Sequence, residues 1–400
     1  MSPTLFISAG EASGERYGAL LVEALRKRLA ESGQSAAFFG MGGRRMEAAG
    51  LERVVYSEEM AVMGLTEVIR HLPRIWREFR KLKKAIRERR PSVAVLIDFP
   101  EVHFRLAKEL RRLGIPVVFF VSPQLWAWKK HRIELVRKYI DRMLVIFPFE
   151  EPFYRSQGVQ AEFVGHPLAE LPQPNASREY FAMCNYLQMD RTWIALLPGS
   201  RAREIQDNLP HMLAAARQLA ERQPCNFLLP FAPTLTSTDR QMAFDLIRKH
   251  ANGLDVRCTP EAREALFYAR ASIVASGTAT VEAALMGNPF VVVYRVSVLT
   301  YAIAKRIVTV PHVAMANLIA GKRVVPELIQ SEFTAENIVR EIKPLLSDGP
   351  PRQSMMQELA QIRGLLIRGL LMTRPESVAG GGAIARVAEV ALELMNIKSL

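Results

Sequence analysis

The chain has 400 residues, a length that suggests two domains, and 49% of them are apolar, enough for full cores and against global disorder. Its formal net charge of +13 and pI near 9.8 call for an anionic partner: nucleic acid, an anionic membrane surface or a phosphorylated substrate. Cys184, Cys225 and Cys258 are isolated and odd in number, which argues against a disulfide framework or a zinc ligand set, and no apolar run approaches bilayer-spanning length. Met-Ser-Pro-Thr runs straight into Leu5-Phe6-Ile7 without a basic leader, so the expectation is a cytoplasmic protein whose membrane contact is peripheral.

Apolar runs alternate with helical patterns along the chain, the mark of βαβ units and a mostly parallel sheet. In the first half the expected strands are 4–8, 36–40, 93–98, 117–121, 143–146 and 161–164. Between the first strand and its helix lies Ser8-Ala9-Gly10-Glu11-Ala12-Ser13-Gly14-Glu15, a turn of small residues. Ser13 and Gly14 read as ligand-facing turn positions, and Glu15 either as an acid–base group or as plain cap chemistry. Asp98 closes the strand Leu96-Ile97-Asp98, where a carboxylate points into the cleft at the carboxyl end of the sheet and can serve as general base; the competing reading is a helix N-cap.

Residues 60–90 combine Met60, Val62, Met63, Leu65, Val68, Ile69, Leu72 and Trp76 with ten Lys or Arg against two Glu between Arg70 and Arg90, a net +8. An apolar stripe beside a basic face fits an interfacial helix on anionic lipid, with Val62, Met63, Leu65, Val68, Ile69, Leu72 and Trp76 as the contacts. An ordinary crossover helix with a solvated charged face is the alternative. Nucleic acid is disfavoured, because base-stacking aromatics are not interleaved there. Trp126 and Trp128 either line an acceptor pocket or pack in the core. His166, in Val164-Gly165-His166-Pro167, is a possible site residue with a structural role as the competing reading. Residues 165–191 carry Pro167, Pro172 and Pro174 and read as a domain boundary.

The second half repeats the pattern with strands 193–197, 226–229, 256–258, 271–275 and 289–294. Two strand–turn–helix segments stand out there: Leu196-Leu197-Pro198-Gly199-Ser200-Arg201, and Ser276-Gly277-Thr278 leading to Glu282. A helix start offers free N–H groups and the positive end of the helix dipole, so two such turns make a pyrophosphate cradle. Gly199, Ser200, Arg201, Ser276, Gly277 and Thr278 are the expected phosphate ligands, Arg201 with its bidentate fork, and Glu282 is placed to accept ribose hydroxyls. Asn317 is either a ligand contact or a turn residue. No Asp-x-Asp pair occurs, so a metal-free leaving-group mechanism is expected, and neither Walker A nor dinucleotide fingerprint is present.

Taken together and in order, these segments resemble the lipid-A-disaccharide synthase family of glycosyltransferases; Asn317-Leu318-Ile319-Ala320-Gly321 completes the set, and the resemblance covers nearly the whole chain. One position departs: His103 follows Asp98-Phe99-Pro100 where the family often has Asn. The resemblance implies an α/β fold of GT-B type, two Rossmann-like doubly wound domains facing a central cleft with a C-terminal helix crossing back. On that reading residues 1–170 form the acceptor and membrane-contacting domain, 171–350 the UDP-sugar domain, and 351–400 helices that return to the first domain or to a partner chain. It implies an inverting transfer from UDP-2,3-diacylglucosamine to 2,3-diacylglucosamine 1-phosphate (lipid X), without cofactor or metal, at the inner-leaflet surface, with a homodimer possible. A GT-B relative such as a UDP-N-acetylglucosamine 2-epimerase, and a basic surface-binding protein, are the alternative readings.

Overall fold

The computed structural model describes residues 3–57, 65–127, 132–297, 301, 306, 310–371 and 382–397, without the side chains of residues 12, 65–72, 368–371, 396 and 397. The chain divides into two compact units, Met1–Glu170 with Leu366–Leu400, and Leu171–Leu365. The expected tail boundary at 350/351 falls instead at the start of a helix, because Pro350 suits a first helical turn and the helix continues to Leu371.

The first unit opens with β1 (Thr4–Ala9), α1 (Ala12–Glu31), β2 (Ala37–Gly42), α2 (Arg44–Ala48), β3 (Leu51–Tyr56) and α3 (Leu65–Arg89). It continues through β4 (Val93–Ile97), α4 (Pro100–Arg112), β5 (Val117–Phe120), α5 (Ile133–Tyr139), β6 (Arg142–Val145), α6 (Glu150–Ser156) and β7 (Ala161–Phe163). The seven strands are parallel in the order β3-β2-β1-β4-β5-β6-β7. β4 lies at the centre with every side chain fully buried, which is why it reads as an unbroken Val-Ala-Val-Leu-Ile run.

The second unit runs α7 (Arg178–Cys184), β8 (Thr192–Leu197), α8 (Ala202–Ala220), β9 (Cys225–Pro230), α9 (Ser237–His250), β10 (Val256–Thr259), α10 (Ala262–Tyr268) and β11 (Ala271–Ala275). Then come α11 (Thr278–Leu285), β12 (Phe290–Tyr294), α12 (Met315–Ala320), β13 (Glu327–Ile329), α13 (Ala335–Leu346) and α14 (Pro350–Leu371), whose residues from Leu366 on count with the first unit. Its six parallel strands take the order β10-β9-β8-β11-β12-β13. α15 (Ala383–Ile397), part of the first unit, packs on α1 and on β4 and β5, and its Ile384, Val387, Ala388 and Ala391 are buried.

Both sheets are doubly wound. Strand order reverses between β1 and β4 in the first unit and between β8 and β11 in the second. In such sheets the crevice at the carboxyl end of the switch-point strands is the natural ligand site. The Gly10 turn and Asp98 flank the first switch point, and the Gly199 and Gly277 turns flank the second.

The two strands that pattern analysis leaves out, β3 and β13, are both edge strands. Glu52 and Arg53 in β3, and Glu327 in β13, break the apolar run because one side of each strand has no neighbour to bury it.

Candidate functional site

In the second unit, β8 and β11 pair in register, with Leu197 opposite Val274, so the turns that follow them emerge side by side. Gly199 has φ +132° and a Cβ there would fall 2.4 Å from Glu204 Oε2, so backbone and space both demand glycine. Gly277 has φ +144° with open space where a Cβ would go; the conformation alone selects it. Each turn starts a helix, and Thr280 Oγ1 donates to the Gly277 carbonyl at 2.8 Å to close the second. Ser200, Arg201, Gly277 and Thr278 are exposed, and Ser276 is half-buried with its hydroxyl donating to the Val313 carbonyl. Glu282 is half-buried one turn along α11.

The donors of the first turn are currently satisfied by a carboxylate. Glu204 Oε2 accepts the Ser200 N–H at 2.9 Å, and Glu204 Oε1 accepts from Arg201 Nη1 at 2.8 Å. An anion thus already occupies the groups expected to grip phosphate oxygens, supplied by the protein from the first turn of α8.

Asn317 departs from the expected ligand role. Its side chain is fully buried; Nδ2 donates to the Val325 carbonyl and to Glu327 Oε1, while Oδ1 accepts from the Val324 and Val325 N–H groups. All four of its hydrogen-bonding places are filled from within, so it shapes the loop after α12 rather than reaching outward. Glu327 extends the network by accepting from the Val313 and Ala314 N–H groups.

In the first unit, Asp98 lies just past β4 rather than within it. It and Phe99 both take left-handed backbone, φ 52° and 50°, and Val121 after the neighbouring β5 does the same at 64°. Phe99, not Asp98, is the N-cap of α4, and it makes no side-chain cap bond, so the capping reading of Asp98 is set aside. The Asp98 carboxyl is pushed up to about 7 by burial and then by the negative Glu11 beside it, while a hydrogen bond from the Phe99 N–H pulls the other way. A carboxylate poised near neutrality suits proton abstraction.

The acidic partner of Asp98 is therefore Glu11, which sequence reasoning passed over in favour of Glu15. Glu15 lies across the start of α2, where its Oε1 accepts the Arg45 N–H at 2.9 Å and its carboxylate covers Gly43. That is cap chemistry at a short helix, as the alternative reading had it. Ser13 is half-buried, and Gly14 is buried against Ile97 and Ala9, where it sets the close approach of α1 to the sheet. Gly10 is closer still: a Cβ there would fall 2.2 Å from the Phe99 ring.

His166 is fully buried, its Nδ1 accepts the Leu168 N–H, and it packs against Tyr17 and Phe147. Burial pushes it down to about 3, leaving a neutral ring with a structural role. Trp126 is buried too. Its indole donates to Glu150 Oε1 at 3.1 Å, and Glu150 Oε2 accepts from the Ile146 and Phe147 N–H groups. Glu150 is buried and pushed up to about 8, and it ties the loop after β5 to the start of α6. Glu150→Ala leaves an indole and two amides without acceptors, so we expect a stability loss of about 3 kcal/mol, read as a lower urea midpoint at unchanged slope.

Of the expected membrane contacts, Val62 and Met63 lie outside the described residues, and the side chains of Leu65, Val68, Ile69 and Leu72 lie outside the described side chains. Trp76 is 57% exposed, with the Arg80 guanidinium 3.4 Å from its ring centroid. An adjoining stripe of α3, Ile75, Phe79, Leu82 and Ile86, packs on the core of the first unit. Among the described residues no helix is long and apolar enough to cross a membrane, and no cluster of three His, Cys, Asp or Glu side chains is placed to hold a metal ion.

Two doubly wound parallel sheets, each with glycine turns at its switch point, define an α/β glycosyltransferase fold of GT-B type. Solved structures agree on the fold: the calicheamicin glycosyltransferase CalG4 matches over 99% of this chain and 98% of that one at TM-score 0.60 and 17% identity. UDP-GlcNAc 2-epimerase from Neisseria meningitidis bound to UDP-GlcNAc matches over 99% and 100% at TM-score 0.60 and 11% identity. The family model described as lipid-A-disaccharide synthetase matches residues 5–369. Lipid-A-disaccharide synthase of Acidobacterium capsulatum is 56% identical over 98% of this chain and 97% of the relative, and that of Myxococcus xanthus 42% identical over 98% of each. The chain belongs to the lipid-A-disaccharide synthase family of glycosyltransferases.

Proposed function

We propose that this chain joins UDP-2,3-diacylglucosamine to 2,3-diacylglucosamine 1-phosphate, giving the β-1,6-linked disaccharide 1-phosphate and UDP in a single displacement with inversion. The observation that carries the catalytic part is the Asp98 carboxyl, held past β4 and raised to about 7 by burial and Glu11. Asp98 takes the proton of the acceptor 6-hydroxyl as that oxygen attacks the anomeric carbon, and the bond to the diphosphate breaks. Arg201, Ser200 and the N–H groups at Gly277 and Thr278 receive the charge that develops on the departing UDP. For this, Arg201 exchanges the Glu204 carboxylate for phosphate oxygens. Glu282 holds the ribose; Asn317 and Glu327 keep the neighbouring loop in shape; Ser13, Gly14 and Glu15 shape the first turn.

Acceptor-dependent release of UDP tests the assignment. Incubating the full chain in detergent with the donor should release UDP only when lipid X is added; release from the donor alone, or none with both present, would sink it.

The same reading places the protein on the inner leaflet as a peripheral protein, through the exposed Trp76 and the basic face of α3 formed by Arg77, Lys81 and Lys84. An indole at the interface and cations against anionic headgroups act together. Trp76→Ala should lower sedimentation with phosphatidylglycerol-containing vesicles by about three- to tenfold while leaving detergent-phase turnover in place. Equal sedimentation of variant and parent would remove Trp76 from the contact.

A further inference from the structure

Two successive left-handed residues that are not glycine, Asp98 and Phe99, are costly: each such backbone costs of order 1–3 kcal/mol and persists only where surrounding contacts over-determine it. One of those contacts is the seat of the Phe99 ring on Gly10. The other is His103, in the first turn of α4. Its Nδ1 lies 2.5 Å from the Asp98 carbonyl oxygen and its Nε2 lies 2.8 Å from Ser8 Oγ, at the end of β1. A carbonyl only accepts, so Nδ1 carries the proton; Nε2 then accepts, and the Ser8 hydroxyl donates to it. The hydrogen-bond geometry therefore permits one tautomer. His103 and Ser8 are both fully buried, with the Phe99 and Phe119 rings packed edge-on against the imidazole. Burial holds the ring down to about 4, so it stays neutral through the physiological range and the tautomer is kept.

We propose that His103 is a positioning residue for the transfer: anchored on Ser8, its Nδ1–H ties down the Asp98 carbonyl and so keeps the Asp98 carboxylate in its half-buried, left-handed pose beside Glu11. The link runs across the switch point, from β1 through the imidazole to the residue after β4. It rests on Asp98 being the base. The charged group that faces the carboxylate is Glu11, on the turn after β1, and His103 approaches from the α4 side on the backbone. Releasing the carbonyl frees the turn to relax, moves the carboxylate towards water and removes the burial that raises it.

The test compares the pH dependence of kcat and kcat/KM for the parent, His103→Leu, His103→Asn, Ser8→Ala and Asp98→Asn, with thermal unfolding followed for each. His103→Leu fills the space without either bond and should lower kcat about a hundredfold, the scale of an ångström misplacement, with KM for the UDP-sugar little changed. Its acid limb should move from near 7 towards the ordinary carboxylate value of about 4. Asn places an amide N–H where Nδ1 stands and so keeps the bond to the carbonyl without the anchor on Ser8; His103→Asn should recover kcat to within about tenfold of the parent and restore the limb. Ser8→Ala removes only the anchor and should shift kcat and the limb in the same direction by less, which keeps the proposal testable if His103→Leu folds poorly. A lowered kcat with the limb still near 7 would overturn it, since packing loss alone does that. Normal turnover in Asp98→Asn would overturn the base assignment itself; an inactive Asp98→Asn beside an unaltered His103→Leu would overturn only the role of His103.

Discussion

Asp98→Asn should lower kcat by about a thousandfold, within the range that a positioned general base contributes, while KM for the donor should stay within a few-fold. Asparagine keeps the size of the side chain and its hydrogen bond from the Phe99 N–H, so the fold at the end of β4 survives the change. What it loses is the ability to take a proton. In the parent, the fraction of Asp98 that is ionised rises through about pH 7, so activity should climb with a slope of one decade per pH unit below that value and level above it. Glu11 contributes to the position of that limb by its charge, so Glu11→Gln should lower it, and the climb should begin at more acid pH. Initial rates from pH 5 to 9 at saturating and at low substrate check both statements.

Arg201→Ala should lower kcat/KM by about a thousandfold, the upper part of what one charge-stabilising donor contributes. The reason lies in Glu204. In the parent its carboxylate is shared between the Ser200 N–H and the Arg201 guanidinium, so its charge is offset before any substrate arrives. Without Arg201, an uncompensated carboxylate stands at the start of α8, where the leaving diphosphate needs positive potential. The two residues should therefore be strongly coupled: adding Glu204→Gln to Arg201→Ala should restore about ten- to thirtyfold of the loss, and additive effects in the double-mutant cycle would refute the coupling. Arg201→Lys keeps the charge but not the two-pronged fork, and it should fall between the parent and Arg201→Ala.

The central strands were legible because full burial on both faces writes itself as an uninterrupted apolar run, as in Val93–Ile97 and Ala271–Ala275. The glycine turns were legible because a tight strand-to-helix turn with positive φ needs a small residue, a local requirement. Side-chain engagement was much less legible. Glu11 and Glu15 sit one helical turn apart at the start of α1, and only the fold tells which of them meets Asp98 and which meets α2. Asn317 carried a signal that was available: an amide inside Met-Ala-Asn-Leu-Ile on a helix is enclosed by apolar neighbours and must find its partners internally. His103 carried a similar one, since His103, Leu106, Ala107 and Leu110 share the buried face of α4. Glu150 carried none, because Trp126, the partner of its outer oxygen, arrives from a loop 24 residues earlier.

The strained turn at Asp98 joins these observations to the chemistry. A carboxylate raised towards neutrality and fixed in an improbable backbone is consistent with direct activation of an attacking hydroxyl and with one displacement at the anomeric carbon. The most direct measurement is the anomeric configuration of the disaccharide, read from the proton coupling at the new glycosidic centre in product made by the purified full chain. The account predicts a β linkage, inverted relative to the α-linked nucleotide donor. An α-linked product, formed with retention, would contradict it.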